Sequence, residues 1–311
     1  MKKKLKVLAL SMIVATGVIG CSKNEVKGDN KKVVLVLDEG GVNDQSFNQS
    51  AWEGAQRASE KYGVEVSYIE AKQESDYETN IETAIDNGAD LVVGVGFKIT
   101  DAIEEASENY PEQNFALIDG TYEDIPDNVR PILFSEEQAG YYVGLIASKM
   151  TTSKKVGFIG GMDIPSCSNF AVGFEKALKE EDSNIEFVKQ YANSFTDASK
   201  GRAIAEQMVS QGADILFMAG GGVNSGVLEV CIEKGVKAIG VDLPSNHLAP
   251  DTVITSALKN IGSGLESTIK DLVDGNFKGG EAKIYDATNG GVGYEKTDLI
   301  PQEVIEYIES K

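Results

Sequence analysis

The phrase Asn87-Gly88-Ala89-Asp90-Leu91-Val92-Val93-Gly94 returns, lightly altered, as Gln211-Gly212-Ala213-Asp214-Ile215-Leu216-Phe217. Each reads as a helix that stops at a glycine and runs into a buried strand. This repetition constrains the fold more than any other feature. Around each phrase, short β-branched runs alternate with longer amphipathic stretches, the pattern of parallel sheets with helical crossovers. Two similar halves, each with its own sheet, predict two lobes facing across a cleft.

The first series opens with Val33-Val34-Leu35-Val36-Leu37 and a helical pattern from Ser46 to Tyr62, followed by strands at 64–69, 91–95 and 115–118 behind the breakers Gly63, Gly88 and Pro111. The second follows a helix over 136–150, with strands at 155–159, 185–190, 214–217 and 236–241 and helices near 170–180, 198–211 and 223–234. A tail adds a strand at 253–258, a helix over 261–273, a hairpin-like stretch from Lys283 to Tyr294 and a helix over 301–310. Elements added after two complete sheets imply crossovers between lobes, expected near Leu133 to Glu136, Asp251 to Thr255 and Asp286 to Gly291. The expected fold class is α/β with two lobes, each a mostly parallel sheet flanked by helices. Residues 31–134 plus 253–285 are assigned to the N-terminal lobe and residues 135–252 plus 286–311 to the C-terminal lobe.

Residues 1–20 stand apart. Lys2, Lys3, Lys4 and Lys6 precede an apolar run too short to span a bilayer, and the run ends in Val18-Ile19-Gly20-Cys21. This reads as a signal peptide with a lipobox, making Cys21 a lipid anchor and residues 21–30 a polar tether. An ordinary signal followed by a chance cysteine is the alternative, which the polar stretch Ser22 to Asn30 disfavours. A two-chain lipid is a stable anchor, so the expected location is the extracytoplasmic face of the cell membrane. The net charge is −20, and a leader with four lysines and no acid makes the remainder more acidic still. Such a surface repels nucleic acid.

Cys167 and Cys231 are too few for a disulfide scaffold. A pairing between them stays open, but their separate placement makes two free or buried thiols the expectation. His247 is the only histidine, so neither a metal cofactor nor a Ser-His-Asp catalytic set is expected.

In open parallel sheets ligands bind beyond the carboxyl ends of the strands. There the first strand delivers Asp38-Glu39-Gly40-Gly41-Val42-Asn43-Asp44-Gln45-Ser46-Phe47-Asn48, in which Asp44 or Ser46 can cap the helix that follows. The third ends in Gly96-Phe97-Lys98 and the fourth in Asp119-Gly120; in the second half Phe217 leads into Gly220-Gly221-Gly222, a later strand delivers Asp242, and Lys259 closes the tail strand. Aromatics on both sides of a cleft suit a flat ring, and carboxylates, being acceptors only, suit sugar hydroxyls and the donor edge of a purine. Their excess over lysines argues against a phosphate. A neutral nucleoside fits this set, with a sugar or sugar-like signal as the rival ligand.

Two enzyme readings compete. Paired carboxylates suit a secreted nucleoside hydrolase as well as a receptor. Gly220, Gly222 and Gly226 with Asp242 resemble a dinucleotide fingerprint, but the glycine spacing is looser and an exported chain meets no cytosolic nicotinamide pool.

The lipobox, the Asp38-to-Asn48 loop, Gly94-Val95-Gly96-Phe97, Gly220-Gly221-Gly222 and Gly240-Val241-Asp242 together resemble the basic membrane protein family of lipoproteins, the PnrA-like nucleoside-binding components of ABC importers. The resemblance implies a type I periplasmic-binding fold and a non-enzymatic, monomeric receptor that hands a purine or pyrimidine nucleoside to a permease and its ATPase. Carried to this chain, it implies that Phe47 and Phe217 stack on the base and Asp38 meets its polar edge. Asp119, Asp242 and Lys259 then clasp the ribose, while Asp44, Asn48, Phe97 and Gly221 complete the wall. The run Gly221-Gly222-Val223-Asn224 departs from the Gly-Thr-Gly-like pattern of the family, as does Leu243-Pro244-Ser245.

Overall fold

The computed structural model describes residues 31–311; the expected signal peptide, the expected anchor Cys21 and the expected tether lie outside them. In chain order the first lobe contributes β1 (Lys32–Leu37), α1 (Phe47–Tyr62), β2 (Glu65–Glu70), α2 (Tyr77–Asp86), β3 (Leu91–Val95), α3 (Thr100–Asn109), β4 (Asn114–Ile118) and β5 (Val129–Phe134). The second contributes α4 (Glu136–Met150), β6 (Lys155–Gly160), α5 (Pro165–Glu181), β7 (Glu186–Tyr191), α6 (Ala198–Ser210), β8 (Ile215–Ala219), α7 (Val223–Lys234) and β9 (Lys237–Asp242). The tail adds β10 (Val253–Lys259), α8 (Ile261–Val273), β11 (Lys283–Tyr285), β12 (Val292–Tyr294) and α9 (Gln302–Glu309).

Among the described residues the strands form two six-stranded sheets, in the orders β11-β5-β4-β3-β1-β2 and β12-β10-β9-β8-β6-β7. All pairs are parallel except β10 with β12. Helices cover both faces, which is why β1 and β8 are apolar at nearly every position and buried throughout their central residues. The repeated phrases occupy equivalent places: α2 stops at Gly88 (φ 76°) before β3, and α6 stops at Gly212 (φ 97°) before β8. A left-handed backbone there favours glycine.

Three differences from the sequence reading concern the tail and one strand. Val253–Lys259 belongs to the second sheet, paired with β9 and β12, so residues 253–259 fall in the C-terminal lobe and the crossing moves from Asp251–Thr255 to Asn260. Apolar periodicity marks a strand but not the sheet it joins. Lys283 to Tyr294 is not a hairpin, because β11 pairs with β5 in one sheet and β12 with β10 in the other. The strand Val129–Phe134 was obscured by Arg130 and Pro131. Arg130 is buried because its guanidinium pairs with Asp271 at 2.7 Å and bonds the Lys278 carbonyl at 2.8 Å.

The chain thus passes between lobes at Ser135, at Asn260 and through 286–291. These crossings are bonded to one another and to their flanks: Ser135 N–H donates to the Tyr285 carbonyl (2.9 Å), and Asn260 N–H to that of Gly291 (2.8 Å). Among the described residues, no helix is long and apolar enough to cross a membrane.

Candidate functional site

A cavity of about 650 Å³, part of it open to solvent, lies between the carboxyl ends of the two sheets. The first lobe lines it with Asp38 beyond β1, with Asp44, Phe47 and Asn48 at the start of α1, with Gly96 and Phe97 beyond β3, and with Asp119 beyond β4. The second supplies Gly221 beyond β8, Asp242 at the end of β9, Lys259 at the end of β10, and Ser166, Cys167 and Phe170 from the first turns of α5.

Asp119 and Asp242 occupy equivalent positions, each at the carboxyl end of a matching strand and each with φ 63°. Left-handed backbone is costly for most L-residues but tolerated by aspartate. It turns both carboxylates toward the same space, where each sits close to Lys259. That lysine is 1% exposed. Its ammonium pairs with Asp119 and, at 2.8 Å, with Glu136, and rests 5.5, 5.4 and 5.9 Å from the ring centres of Phe47, Phe134 and Phe170. Burial disfavours the charged ammonium, but Asp119, Glu136 and Asp242 outweigh it and hold its pKa above the ordinary value. One cation among three carboxylates cannot satisfy them all. Burial, aided by Glu136 and Asp242, pushes Asp119 up to about 7 against the pull of Lys259, and burial likewise raises Asp242.

The first loop is held by its own carboxylates. Asp44 accepts from the backbone N–H of Ser46, Asn48 and Gln49 at 3.0, 2.8 and 3.1 Å, capping α1 while facing the cavity. Burial outweighs those bonds and pushes it up to about 6. Asp38 Oδ1 accepts from Gly40 N–H (2.9 Å) and Asn48 Nδ2 (2.7 Å), and burial raises its pKa despite both. Asn48 Oδ1 and Asp119 Oδ1 are buried with no hydrogen-bond partner among the described residues.

Phe217 is the sequence-predicted residue that the structure does not bring to the cavity. It sits within β8, fully buried, its ring edge-on to Phe158 and Phe170 (5.2 and 6.0 Å) and tilted against Phe174 (5.2 Å). Strand alternation puts Ile215, Phe217 and Ala219 on the inner face and Leu216 and Met218 on the outer. Phe217 backs Phe170 rather than facing the cleft.

Phe195 lines the cavity from the second lobe instead. Its ring meets Phe97 of the first lobe edge-on, with centres 6.5 Å apart. The absent side chain of Gly161 makes room for it, since a Cβ there would lie 2.2 Å from the ring. Its sequence signal is Ser194-Phe195-Thr196 before α6, which parallels Ser46-Phe47-Asn48 at the start of α1. Glu136 and Phe170 were also missed, being read as ordinary helix positions.

The glycines of the dinucleotide-like motif have structural work. Gly220 N–H is taken by Asn224 Oδ1 (2.8 Å), and a Cβ on Gly226 would lie 1.9 Å from the Ala198 carbonyl oxygen, where α6 and α7 cross. Cys167 and Cys231 are free and buried, their thiols pushed up to about 11 and about 12 by burial.

Comparison with known proteins adds three kinds of likeness. The family model described as ABC transporter substrate-binding protein PnrA-like matches residues 31–311. The CD4+ T-cell-stimulating antigen of Listeria innocua is 36% identical over 341 residues, covering 99% of this chain and 95% of that protein. The ABC transporter nucleoside-binding protein BmpA of Lactococcus lactis subsp. cremoris is 34% identical over 319 residues, covering 93% and 91%. Among solved structures, a solute-binding protein of an ABC transporter system from Aeropyrum pernix superposes with a TM-score of 0.79 at 30% identity, covering 90% of this chain and 85% of that one.

Proposed function

The chain belongs to the PnrA-like family of ABC transporter substrate-binding proteins, which are receptors and not enzymes, and on that premise we propose that it captures a purine nucleoside between its lobes for an ABC importer. The nucleoside class is supported by the likeness to the nucleoside-binding protein of Lactococcus lactis and by the chemistry of the cleft. Phe47, Phe97 and Phe195 offer flat apolar faces from both lobes. A stacked base gains roughly 1–3 kcal/mol per contact, so two contacts supply a large part of the ~8 kcal/mol of micromolar binding.

The observation that carries the choice of base is the pairing of Asp38 with Asn48. Asn48 spends its Nδ2 on Asp38 Oδ1; turning the amide over would set oxygen against oxygen, so its Oδ1 is the atom left for a ligand. A base edge laid here meets acceptors. Guanine presents N1–H and an amino group to them, and hypoxanthine N1–H, whereas the N1 of adenine is itself an acceptor. Guanosine and inosine are therefore expected to bind ahead of adenosine. Asp119, Asp242 and Lys259 take the ribose hydroxyls, and Asp44 and Gly221 complete the wall.

In this reading residues 1–20 are removed on export, Cys21 carries the lipid, and the protein hangs as a monomer from the outer face of the cell membrane. Its closed form docks on the permease whose ATPase lies in the cytosol. Calorimetric titration of residues 22–311 with guanosine, inosine, adenosine, uridine and ribose tests the ligand. Tighter binding of free ribose than of any nucleoside would replace this reading with a sugar receptor.

A further inference from the structure

Glu136 lies outside the cavity wall, yet its carboxylate is 2.8 Å from the ammonium of Lys259 and the residue is 4% exposed. It is the first residue of α4, immediately after the crossing at Ser135, and Lys259 is the last residue of β10, immediately before the crossing at Asn260. Both belong to the C-terminal lobe. Asp119, the other partner of the ammonium, closes β4 of the N-terminal lobe. A lysine is a flexible point charge on a four-carbon stem. With Asp119 alone, its aim would depend on how near the opposite lobe stands.

We propose that Glu136 is a positioning residue for ligand capture: it holds the Lys259 ammonium from within the same lobe, so that the cation points into the cleft at any separation of the lobes. One oxygen of Asp119 is thereby left for the sugar of the ligand. The inference rests on the nucleoside reading of the site. The charged and titratable groups facing this position are Asp119 beyond β4, Asp242 at the end of β9, Lys259 on β10 and Glu136 on α4. Asp44 beside α1 lies close to Asp242, and Cys167 is on α5.

The role has a signature that packing alone would not give. A hydroxyl is bound more strongly by an ionised acceptor than by a neutral one, so nucleoside affinity falls as acid protonates Asp119. Glu136 is one of the charges that raise Asp119. Replacing it with glutamine moves that fall to lower pH.

The test is calorimetric titration with guanosine between pH 5 and pH 8.5. Glu136→Gln is expected to bind about ten-fold more weakly at pH 8, as befits a lost charge-assisted contact, with the acid-side fall displaced downward by about half a pH unit or more. Glu136→Asp keeps the charge but shortens the reach, so it is expected to bind more weakly with the fall unmoved. Affinities equal to the unaltered protein in both variants would overturn the inference, as would a weakened Glu136→Gln with an unshifted profile. Should Glu136→Gln fail to fold, Glu136→Asp decides alone, and unaltered affinity in it overturns the proposal. Failure of the nucleoside reading is distinguishable, since it appears as absence of binding heat in the unaltered protein.

Discussion

The Ser46 hydroxyl donates a hydrogen bond to the Asp242 carboxylate, joining the start of α1 in one lobe to the end of β9 in the other. Both residues are buried, so the bond forms only when the lobes meet. Hydrogen bonds to charged groups contribute about 1.5–3 kcal/mol. Ser46→Ala is therefore expected to weaken guanosine binding by that amount while the melting temperature of the ligand-free protein changes little. Calorimetry and thermal melts measure the two. An unchanged dissociation constant would mean that the bond plays no part in closure.

Phe195 and Phe217 are expected to separate binding from stability. Phe195→Ala removes a cleft face and should cost roughly 1–3 kcal/mol of nucleoside affinity. Phe217→Ala leaves a hole among Phe158, Phe170 and Phe174 and should cost about 3–5 kcal/mol of folding stability. Urea titrations and ligand titrations of both variants check this. The opposite pattern would return Phe217 to the base-stacking role.

The cleft carboxylates make the ligand-free protein more stable in mild acid. Asp44 and Asp119 titrate in the folded chain near 6 and 7, above the ordinary aspartate value of 3.8. The folded state therefore holds protons that the unfolded chain releases, and stability rises as pH falls from about 8 to about 5. Below about pH 4 the trend reverses, because Asp182, held down to about 2 mainly by Lys154 and Asn184, favours the folded state only while ionised. Urea midpoints across this range read the effect. Asp119→Asn is expected to flatten the rise, and a flat profile in the unaltered protein would contradict the burial of these acids.

A phosphate should be rejected. Guanosine monophosphate would bring a dianion to a cavity where, among the described residues, Lys259 is the one cation in the lining, against Asp38, Asp44, Asp119, Asp242 and nearby Glu136. Like charges juxtaposed at an interface cost several kcal/mol. The nucleotide is expected to bind at least about 100-fold more weakly than guanosine in competition titrations. Comparable affinities would mean that an unnoticed donor set takes the phosphate.

Much of this architecture is written in residue order. The duplicated Gly-Ala-Asp phrases locate β3 and β8, and the rule that ligands sit beyond strand ends brings Asp38, Phe97, Asp119, Asp242 and Lys259 to one cavity. What stayed hidden depends on contacts distant in sequence. Arg130 is tolerated in a strand because Asp271 neutralises it. Val253–Lys259 looks like any strand, and only pairing with β9 assigns it to the second sheet. Phe217 is held on the inner face by the two-residue alternation of β8, whereas Phe195 stands in the loop before α6, where no such alternation applies. Glu136 looks like the acidic first turn of any helix until Lys259 arrives from 123 positions later in the chain.

The three crossings also govern how such a chain can be assembled. The N-terminal sheet is not complete until β11 emerges, and the α1 face around Gly54 has no neighbour until Gly262 of α8 is made. A Cβ on Gly54 would lie 2.3 Å from Gly262, so this contact admits no other pairing of side chains. A fragment ending at residue 134 would expose β5 as an open edge, ready to pair with another chain. Each sheet therefore lacks its last strand, β11 or β12, until the final thirty or so residues are made, and truncation before residue 283 leaves both lobes with an unpaired edge.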